Sequence, residues 1–262
     1  MPSALPSALS IAGSDSGAGA GIQADLLTFA AHGVFGTTAI TCLTAQNPRG
    51  VSGVLPVPPD FVLEQCRQVE AHFHPRGLKT GMLLSADIVE AVARFIQGSG
   101  IPAVVDPVMV ATSGATLLAP EAVESVKKRL IPLASLVTPN LDEATILLGR
   151  KALGGGAAEA EAVELANTYG VPFLLKGGHA EGDDLIDVLA WPDGRTFILR
   201  ARRAPGVDTH GSGCTLSAAI TAQLAIGKGL KEAVEASHQY LQDGIHKSIE
   251  VSGLKVIRHG GR

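Results

Sequence analysis

The sequence lacks the features of a disulfide-stabilised, zinc-binding or membrane-spanning protein. Its three cysteines among 262 residues are widely spaced and form no C-x-x-C pair, so neither a disulfide framework nor a zinc site is indicated. No apolar run reaches membrane-spanning length. No lysine or arginine precedes Arg49, so the chain begins without the basic region of a secretory signal, and we expect a cytoplasmic protein.

Two common phosphate-binding signatures and an excess of positive charge are also missing. The glycine-rich segment 13–21 has neither G-x-G-x-x-G nor Walker A spacing, and no Walker A motif occurs elsewhere, which argues against dinucleotide-binding Rossmann and P-loop folds. The formal net charge is -4 with a pI near 6.1. A mildly acidic surface does not attract nucleic acids or anionic membranes, so we expect a small-molecule partner.

The sequence does contain a regular alternation of β-prone and helix-period segments. This pattern predicts an α/β fold with a mostly parallel sheet covered on both faces, in a single domain spanning residues 1–262. The predicted strands are residues 8–12, 37–43, 78–81, 101–105, 135–138, 173–176, 186–191 and 196–199. The predicted helices begin at Gly21, Asp60, Ala86, Pro120, Leu141, Glu159, Gly213 and Leu230. The turn signal at residues 192–194 makes the last two strands a hairpin at one edge of the sheet.

The most informative segment is residues 208–217, where a glycine loop leads directly into an apolar helix. Gly211 and Gly213 allow the backbone to approach a ligand, and the free N–H groups of the helix start attract an anion such as phosphate. Cys214 lies in the first helical turn, where the same field is expected to lower the pKa of its thiol. The segment therefore predicts an anion hole beside a possible base, although a simple helix start with a buried cysteine has the same sequence.

Several polar residues directly follow predicted strands, where ligands collect in open α/β sheets. Asp106, Asn140 and Glu143 offer oxygen ligands for a Mg²⁺–nucleotide. The alternative for Asn140 and Glu143 is a helix capping box. Lys176, beside two glycines, suits phosphate charge, although a solvated lysine in a turn has the same pattern.

Two further residues are candidates for contact with an acceptor molecule. Gln46, at the end of the second strand, offers a donor and an acceptor that together can recognise a heterocycle edge. Asp25 lies one turn into the first helix and can face the same crevice. The alternatives are a glutamine that starts a turn and a solvated aspartate that favours the helix dipole.

Taken in order, seven segments resemble the hydroxymethylpyrimidine/phosphomethylpyrimidine kinases of thiamine biosynthesis, over residues 9–245. The segments are Gly-Ser-Asp-Ser with Gly-Ala-Gly-Ile-Gln-Ala-Asp-Leu, Ala-Gln-Asn, Lys-Thr-Gly-Met-Leu, Asp-Pro-Val-Met, Thr-Pro-Asn-Leu-Asp-Glu-Ala, Leu-Lys-Gly-Gly-His, and Asp-Thr-His-Gly-Ser-Gly-Cys-Thr-Leu-Ser-Ala-Ala. The resemblance implies a ribokinase-like three-layer αβα sandwich. It also implies transfer of the ATP γ-phosphate to 4-amino-5-hydroxymethyl-2-methylpyrimidine and then to its monophosphate, with Mg²⁺, by a homodimer.

The resemblance assigns roles to individual residues. Asp25 and Gln46 match positions that contact the pyrimidine, Met82 and Val108 match its apolar walls, and Gly13 belongs to the same substrate set. Nucleotide binding is implied for Thr138, Asn140, Lys176 and Ser212. Metal binding is implied for Asp106, Asn140 and Glu143, and catalysis for Lys176, Gly211, Gly213 and Cys214, with Cys214 as base toward the hydroxymethyl group.

One departure from the family and two alternatives remain open at this stage. The usual Ser-Gly-Gly of the first loop is Gly17-Ala18-Gly19 here, which predicts a substrate affinity different from the family norm. The first alternative is a pyridoxal kinase, or a dual activity, because some enzymes with a similar Gly-Cys loop act on pyridoxal; Gln46 favours the pyrimidine. The second is a ligand-binding protein without turnover, which the joint presence of the catalytic residues disfavours.

Overall fold

The computed structural model of the protein describes residues 5–109, 118–178 and 184–260, which form a nine-stranded sheet between two layers of helices. The strands are β1 (Ser7–Asp15), β2 (Phe35–Asn47), β3 (Gly50–Pro56), β4 (Leu78–Thr80), β5 (Ala103–Val105), β6 (Leu136–Val137), β7 (Phe173–Leu175), β8 (Asp184–Ala190), β9 (Thr196–Arg202), and a separate hairpin of β10 (Ile249–Val251) and β11 (Leu254–Val256). The α-helices are α1 (Gly21–Ala31), α2 (Pro59–Phe73), α3 (Ala86–Ser99), α4 (Pro120–Ser125), α5 (Leu141–Leu148), α6 (Ala158–Tyr169), α7 (Ser212–Ala225) and α8 (Leu230–His246).

The strand order of the sheet is β3-β2-β1-β4-β5-β6-β7-β8-β9. The strands from β2 through β7 in this order pair in parallel. The outer strands β3, β8 and β9 pair antiparallel. All the parallel strands therefore end at the same edge of the sheet, and the loops that follow them lie side by side.

Alternate residues of the central strands face different helix layers, because successive side chains of a strand point to opposite faces. Val105, Phe173 and Leu175 belong to the core that contains side chains of α2 to α6. Val104 and Leu174 belong to the core formed with α7 and α8. Helix α1 packs against α7 in a third, smaller cluster. The central strands are thus buried on both faces, as their continuous apolar composition predicts.

The sequence located most elements correctly. Every predicted helix is present and begins within one residue of its predicted start, and the edge hairpin is confirmed as β8 and β9. Strand β3 was not predicted, because its segment contains two glycines and a proline, and every residue in it is exposed. None of the described helices combines the length and apolar character needed to cross a membrane.

Candidate active site

The carboxyl edge of the parallel strands opens into a cavity of about 580 Å³. Every predicted site residue lines this cavity except Asp25 and Thr138. These predicted residues come from the ends of β1 and β2, the segments after β4, β5, β6 and β7, and the start of α7. The parallel topology therefore brings together groups that are far apart in the sequence.

The start of α7 forms one wall of the cavity. Gly211 is the residue before the helix, with φ of +79° and no side-chain cap. A Cβ atom on Gly211 would lie 1.8 Å from the backbone oxygen of Gly19, so the loop before α7 packs directly on the first glycine loop. No acidic residue lies in the first turn of α7. The positive dipole end of α7 therefore faces the cavity, and no carboxylate of its own first turn neutralises it. This arrangement suits an anion-binding site.

A buried ion pair faces this helix start. The Lys176 ammonium lies 3.1 Å from Oδ1 of Asp106, and both side chains are largely buried. A Cβ on Gly213 would lie 3.1 Å from Nζ of Lys176, which brings the helix start and the ammonium together. Burial alone would lower the pKa of Lys176, but the carboxylates of Asp106 and Glu143 raise it overall. Lys176 is therefore positively charged at neutral pH.

Asp106 is also held by two hydroxyl groups behind the cavity. Thr138 donates to Oδ1 at 3.2 Å, and Ser217 donates to Oδ2 at 3.3 Å. Thr138 is fully buried and does not line the cavity. The structure therefore corrects its expected position: Thr138 fixes the orientation of Asp106 from behind and is not exposed to a nucleotide in the cavity.

Asn140 and Glu143 form the capping box that was the alternative to metal binding. The Asn140 side chain accepts from the Glu143 backbone N–H at 2.8 Å, and the Glu143 side chain accepts from the Asn140 backbone N–H at 2.9 Å. Both residues also line the cavity. Burial and the negative charge of Asp106 raise the pKa of Glu143 to about 8, although Lys176 opposes the shift. In the part of the chain that the structure describes, no group of three or more His, Cys, Asp and Glu side chains is arranged to hold a metal ion.

Cys214 does not have the lowered pKa that its place in the first helical turn predicts. Burial raises the pKa of its thiol to about 11; the positive charge of Lys79 lowers it, and the carboxylates of Asp25 and Asp106 raise it further. The expectation of a lowered thiol pKa is therefore wrong. Desolvation and two nearby carboxylates outweigh the positive charge of Lys79.

Asp25 also departs from its expected place on the cavity wall. Its side chain is fully buried and accepts from Lys79 at 2.8 Å and from Ser10 at 2.5 Å. Burial alone would lower the pKa of Lys79, but Asp25 raises it overall, so the ammonium is charged. Asp25 therefore lies beneath the cavity, where it neutralises a buried lysine, and makes no direct contact with the cavity space.

The first glycine loop is organised by Asp15, which sequence reasoning did not single out. Its carboxylate accepts backbone N–H bonds from Gly17 at 2.8 Å and from Ala20 at 2.9 Å. Ala18, which departs from the usual family sequence, has φ of +60° in this loop. That conformation strains a residue with a Cβ and suits glycine. Ala18 therefore makes the backbone of this loop more strained than a glycine at the same position would.

The carboxyl end of β2 also supports the first glycine loop. Ser16 and Gln46 exchange hydrogen bonds: the Ser16 hydroxyl donates to the Gln46 carbonyl at 2.8 Å and accepts from its backbone N–H at 2.8 Å. The Gln46 side chain lines the cavity, with Met82 and Val108 among the apolar lining residues. A Cβ on Gly13 would lie 2.9 Å from the terminal methyl group of Met82, so Gly13 lets this side chain pack closely on β1. These contacts place one amide among apolar walls, a setting suited to a flat heterocycle.

Two histidines that line the cavity were also not predicted from the sequence. His210 lies 3.2 Å from the Asp15 carboxylate. His238 of α8 lies 3.8 Å from the carboxylate of Asp187, which accepts from the Gly177 backbone N–H at 2.7 Å. His210 stands inside the glycine motif and offered a sequence signal. Asp187 and His238 offered none, because only the fold brings β8 and α8 to the cavity.

Comparison with known proteins identifies the family of the chain. A family model described as phosphomethylpyrimidine kinase matches residues 15–257. The chain belongs to the phosphomethylpyrimidine kinase family. It is 48% identical to the hydroxymethylpyrimidine/phosphomethylpyrimidine kinase of Rhizobium meliloti over 243 residues, covering 91% of this chain and 90% of the relative.

The solved structures extend the comparison to the fold. An ADP complex of Bacillus subtilis pyridoxal kinase aligns with a TM-score of 0.89 at 34% identity, covering 98% of each chain. Phosphomethylpyrimidine kinase from Clostridium difficile aligns with a TM-score of 0.81 at 38% identity, covering 92% of this chain and 99% of that one. The predicted ribokinase-like αβα sandwich with a mostly parallel sheet is confirmed.

Proposed function

We propose that the protein transfers the ATP γ-phosphate to 4-amino-5-hydroxymethyl-2-methylpyrimidine and then to its monophosphate, in thiamine diphosphate biosynthesis. The observation that carries the proposal is that one cavity joins an amide set in apolar walls to an uncapped helix start and a buried lysine. The amide suits an aminopyrimidine, and the helix start with the lysine suits a transferring phosphate. The family relationship supports the same reaction.

We define the phosphate end of the cavity as Asp106, Glu143, Lys176 and the start of α7. Here Lys176 and the N–H groups after Gly211 stabilise the charge of the transferring phosphoryl group, while Asn140 and Ser212 contact the nucleotide. Phosphoryl transfer passes through a loose transition state, so positioning and charge stabilisation dominate. Cys214 lines the cavity beside the position proposed for the acceptor hydroxyl. With a pKa of about 11, its thiol is protonated at neutral pH and must lose this proton before the sulfur can act as a base.

Magnesium fits the donor set of the phosphate end. Asp106 and Glu143 are both buried carboxyl groups, and the pKa of Glu143 is raised to about 8 partly because Asp106 is near. Asp106 and Glu143, together with the amide oxygen of Asn140, would hold a divalent cation, whose charge would relieve that repulsion. Mg²⁺ would supply neutralisation of phosphate charge during transfer.

We define the acceptor end of the cavity as Gly13, Gln46, Met82, Val108 and His210. The Gln46 amide accepts from the exocyclic amine of the pyrimidine and donates to the adjacent ring nitrogen. Met82 and Val108 cover the ring faces. Pyridoxal lacks an adjacent amine and ring nitrogen, so this end discriminates against it.

Pyridoxal phosphorylation is the second candidate function. It is favoured by one observation, the close structural similarity to Bacillus subtilis pyridoxal kinase. The experiment that separates the candidates is a coupled ADP-release assay with Mg²⁺–ATP and each of three acceptors: the hydroxymethylpyrimidine, its monophosphate and pyridoxal. We expect the highest kcat/KM with the hydroxymethylpyrimidine and turnover with its monophosphate. ATP binding without phosphorylation of any acceptor would contradict the proposal.

We further propose that residues 1–262 act as one kinase domain, in the cytoplasm and as a homodimer. The hairpin of β2 and β3 supports the dimer, because Leu55, Val54 and Val51 are exposed apolar side chains on it. Val51 and Val54 also line the cavity, so a second subunit on this hairpin would close the acceptor end. Sedimentation velocity tests the dimer, with Leu55→Glu as the variant expected to dissociate it.

A further inference from the structure

His210 contacts two other residues through one ring nitrogen, Asp15 of the first glycine loop and Gln46 at the end of β2. Its Nε2 atom lies 3.2 Å from Oδ2 of Asp15 and 3.3 Å from the side-chain amide nitrogen of Gln46. The ring is partly exposed and lines the cavity. A Cβ on Gly19 would lie 2.8 Å from Cδ2 of the ring, so the ring packs against the first glycine loop. Asp15 and His210 are 195 positions apart in the sequence.

Asp15 determines that the Nε2 atom of the His210 ring bears a hydrogen. Burial alone would raise the pKa of Asp15, but hydrogen bonds from His210, Gly17 and Ala20 lower it overall, so the group is an acceptor-only carboxylate. The hydrogen bond with Asp15 in turn raises the pKa of His210. In both its neutral and its charged form, the ring therefore holds a hydrogen on Nε2.

This hydrogen constrains the Gln46 amide. An amide N–H cannot donate to a ring nitrogen that already bears a hydrogen. Rotation of the amide by 180° about its last bond exchanges its oxygen and nitrogen with almost no change of shape, and places the oxygen beside His210. The amide NH₂ group then faces the cavity, and the oxygen retains a second lone pair for a ligand.

We propose that His210, held by Asp15, is a positioning residue that orients the Gln46 amide and thereby selects the heteroaromatic edge that the cavity accepts. The inference rests on the proposed function and extends it. The orientation matches an edge with an exocyclic amine next to a ring nitrogen: the amine donates to the amide oxygen, and the ring nitrogen accepts from the NH₂ group. An acceptor without such a pair leaves the oriented amide unsatisfied.

The test is a double-mutant cycle on the preference between two acceptors. Wild type, His210→Met, Gln46→Met and the double variant are compared by the ratio of kcat/KM for the hydroxymethylpyrimidine to that for pyridoxal. His210→Gln is the conservative variant, because its amide can place a donor near the position of Nε2. KM for ATP and the melting temperature report on the loop before α7 independently of the acceptor.

We expect His210→Met to lower the ratio about tenfold and His210→Gln to keep it within about threefold of wild type. In the Gln46→Met background, His210→Met should not change the ratio further, because the amide that it orients is gone. A packing role alone predicts the same loss in both backgrounds. An unchanged ratio in a folded His210→Met protein, or an equal further loss in the Gln46→Met background, would overturn the inference.

Two additions keep the test decisive. If His210→Met does not fold, Asp15→Asn takes its place in the test. This substitution preserves the shape of the side chain and frees the imidazole to place its hydrogen on either nitrogen, so it should also lower the ratio. Dissociation constants of both acceptors, measured by calorimetry without ATP, give the same ratios without turnover. Binding preference without phosphorylation would contradict the proposed function and not this inference, whereas equal binding of both acceptors by the wild type would overturn this inference.

Discussion

The phosphate end and the acceptor end of the cavity differ in how their polar groups are held. At the phosphate end, Lys176 and Asp106 form an ion pair that is largely buried, and the hydroxyl groups of Thr138 and Ser217 behind the cavity fix the carboxylate. At the acceptor end, the side chains of Gln46 and His210 meet between a strand end and a loop, and the His210 side chain is 30% exposed. The polar groups of the first end are largely buried, whereas the Gln46 and His210 side chains of the second are half-buried.

This difference indicates a division of labour. Substitutions at the phosphate end should slow transfer to every acceptor, because they alter charge that acts on the phosphoryl group itself. Substitutions at the acceptor end should change which acceptor is preferred, because they alter pairing with the ring. The expected effects below run from the largest to the smallest.

Lys176→Ala should produce the largest loss. We expect kcat to fall by about 10³-fold and KM for ATP to rise, since the buried ammonium acts on phosphate charge before and during transfer. Steady-state ADP release with each acceptor measures both effects. Lys128→Ala is the matched control, because that lysine is exposed and pairs with Glu124 on the surface. A Lys176→Ala enzyme that resembles the control would contradict the assigned role.

Gly211→Ala should be nearly as damaging. Its Cβ would overlap the backbone oxygen of Gly19, so the loop before α7 must move off the first glycine loop. We expect a loss of about 10²-fold or more in kcat/KM with both acceptors. Gly33→Ala is the control for backbone strain, because Gly33 also has positive φ, at +68°, and nothing within 4 Å of an added Cβ. Equal behaviour of the two variants would show that strain, not loop contact, limits activity.

Cys214→Ala tests the base. If the deprotonated sulfur of Cys214 accepts the hydroxyl proton during transfer, loss of this group should lower kcat by about 10²-fold with little change in KM for ATP. A folded variant with near-normal kcat would reduce Cys214 to a packing residue at the start of α7.

The pH dependence of Cys214 alkylation provides an independent check on the same residue. Only the thiolate reacts, and its pKa of about 11 lies above neutrality, so the rate should rise about tenfold per pH unit without a plateau below pH 10. The rate can be followed by mass spectrometry of the Cys214 peptide after iodoacetamide treatment. A plateau near pH 7 would indicate the lowered pKa that the helix start alone predicts.

Gln46→Met should have the smallest and most selective effect. We expect kcat/KM for the hydroxymethylpyrimidine to fall by about tenfold to a hundredfold, which is the cost of losing a buried hydrogen-bond partner. KM for ATP should stay unchanged, and activity toward pyridoxal should be kept or increased. An unaltered preference between acceptors would leave pocket shape as the determinant.

The sequence predicted those site residues that follow parallel strands. Asp106, Asn140 and Lys176 come after different strands, and the topology alone brings them to one edge. The capping box of Asn140 and Glu143 was also predictable, because it depends on residues only three positions apart.

The remaining features depend on long-range burial, which a single sequence does not display. Asp25 pairs with Lys79 across 54 positions, and nothing in a short apolar strand signals that its lysine is fully buried. The pKa of Cys214 depends on the same pair and on Asp106. The local sequence shows only the helix start, which predicts a lowered pKa for Cys214, whereas the pKa is raised.

The division of labour between the two ends is tested most directly by one ratio measured in two variants. The ratio is kcat/KM for the hydroxymethylpyrimidine over kcat/KM for pyridoxal, determined in Lys176→Ala and in Gln46→Met and compared with wild type. We predict that Lys176→Ala lowers both values by the same factor and leaves the ratio unchanged, whereas Gln46→Met lowers the ratio at least tenfold. A ratio that moves equally in both variants, or in neither, would contradict the account.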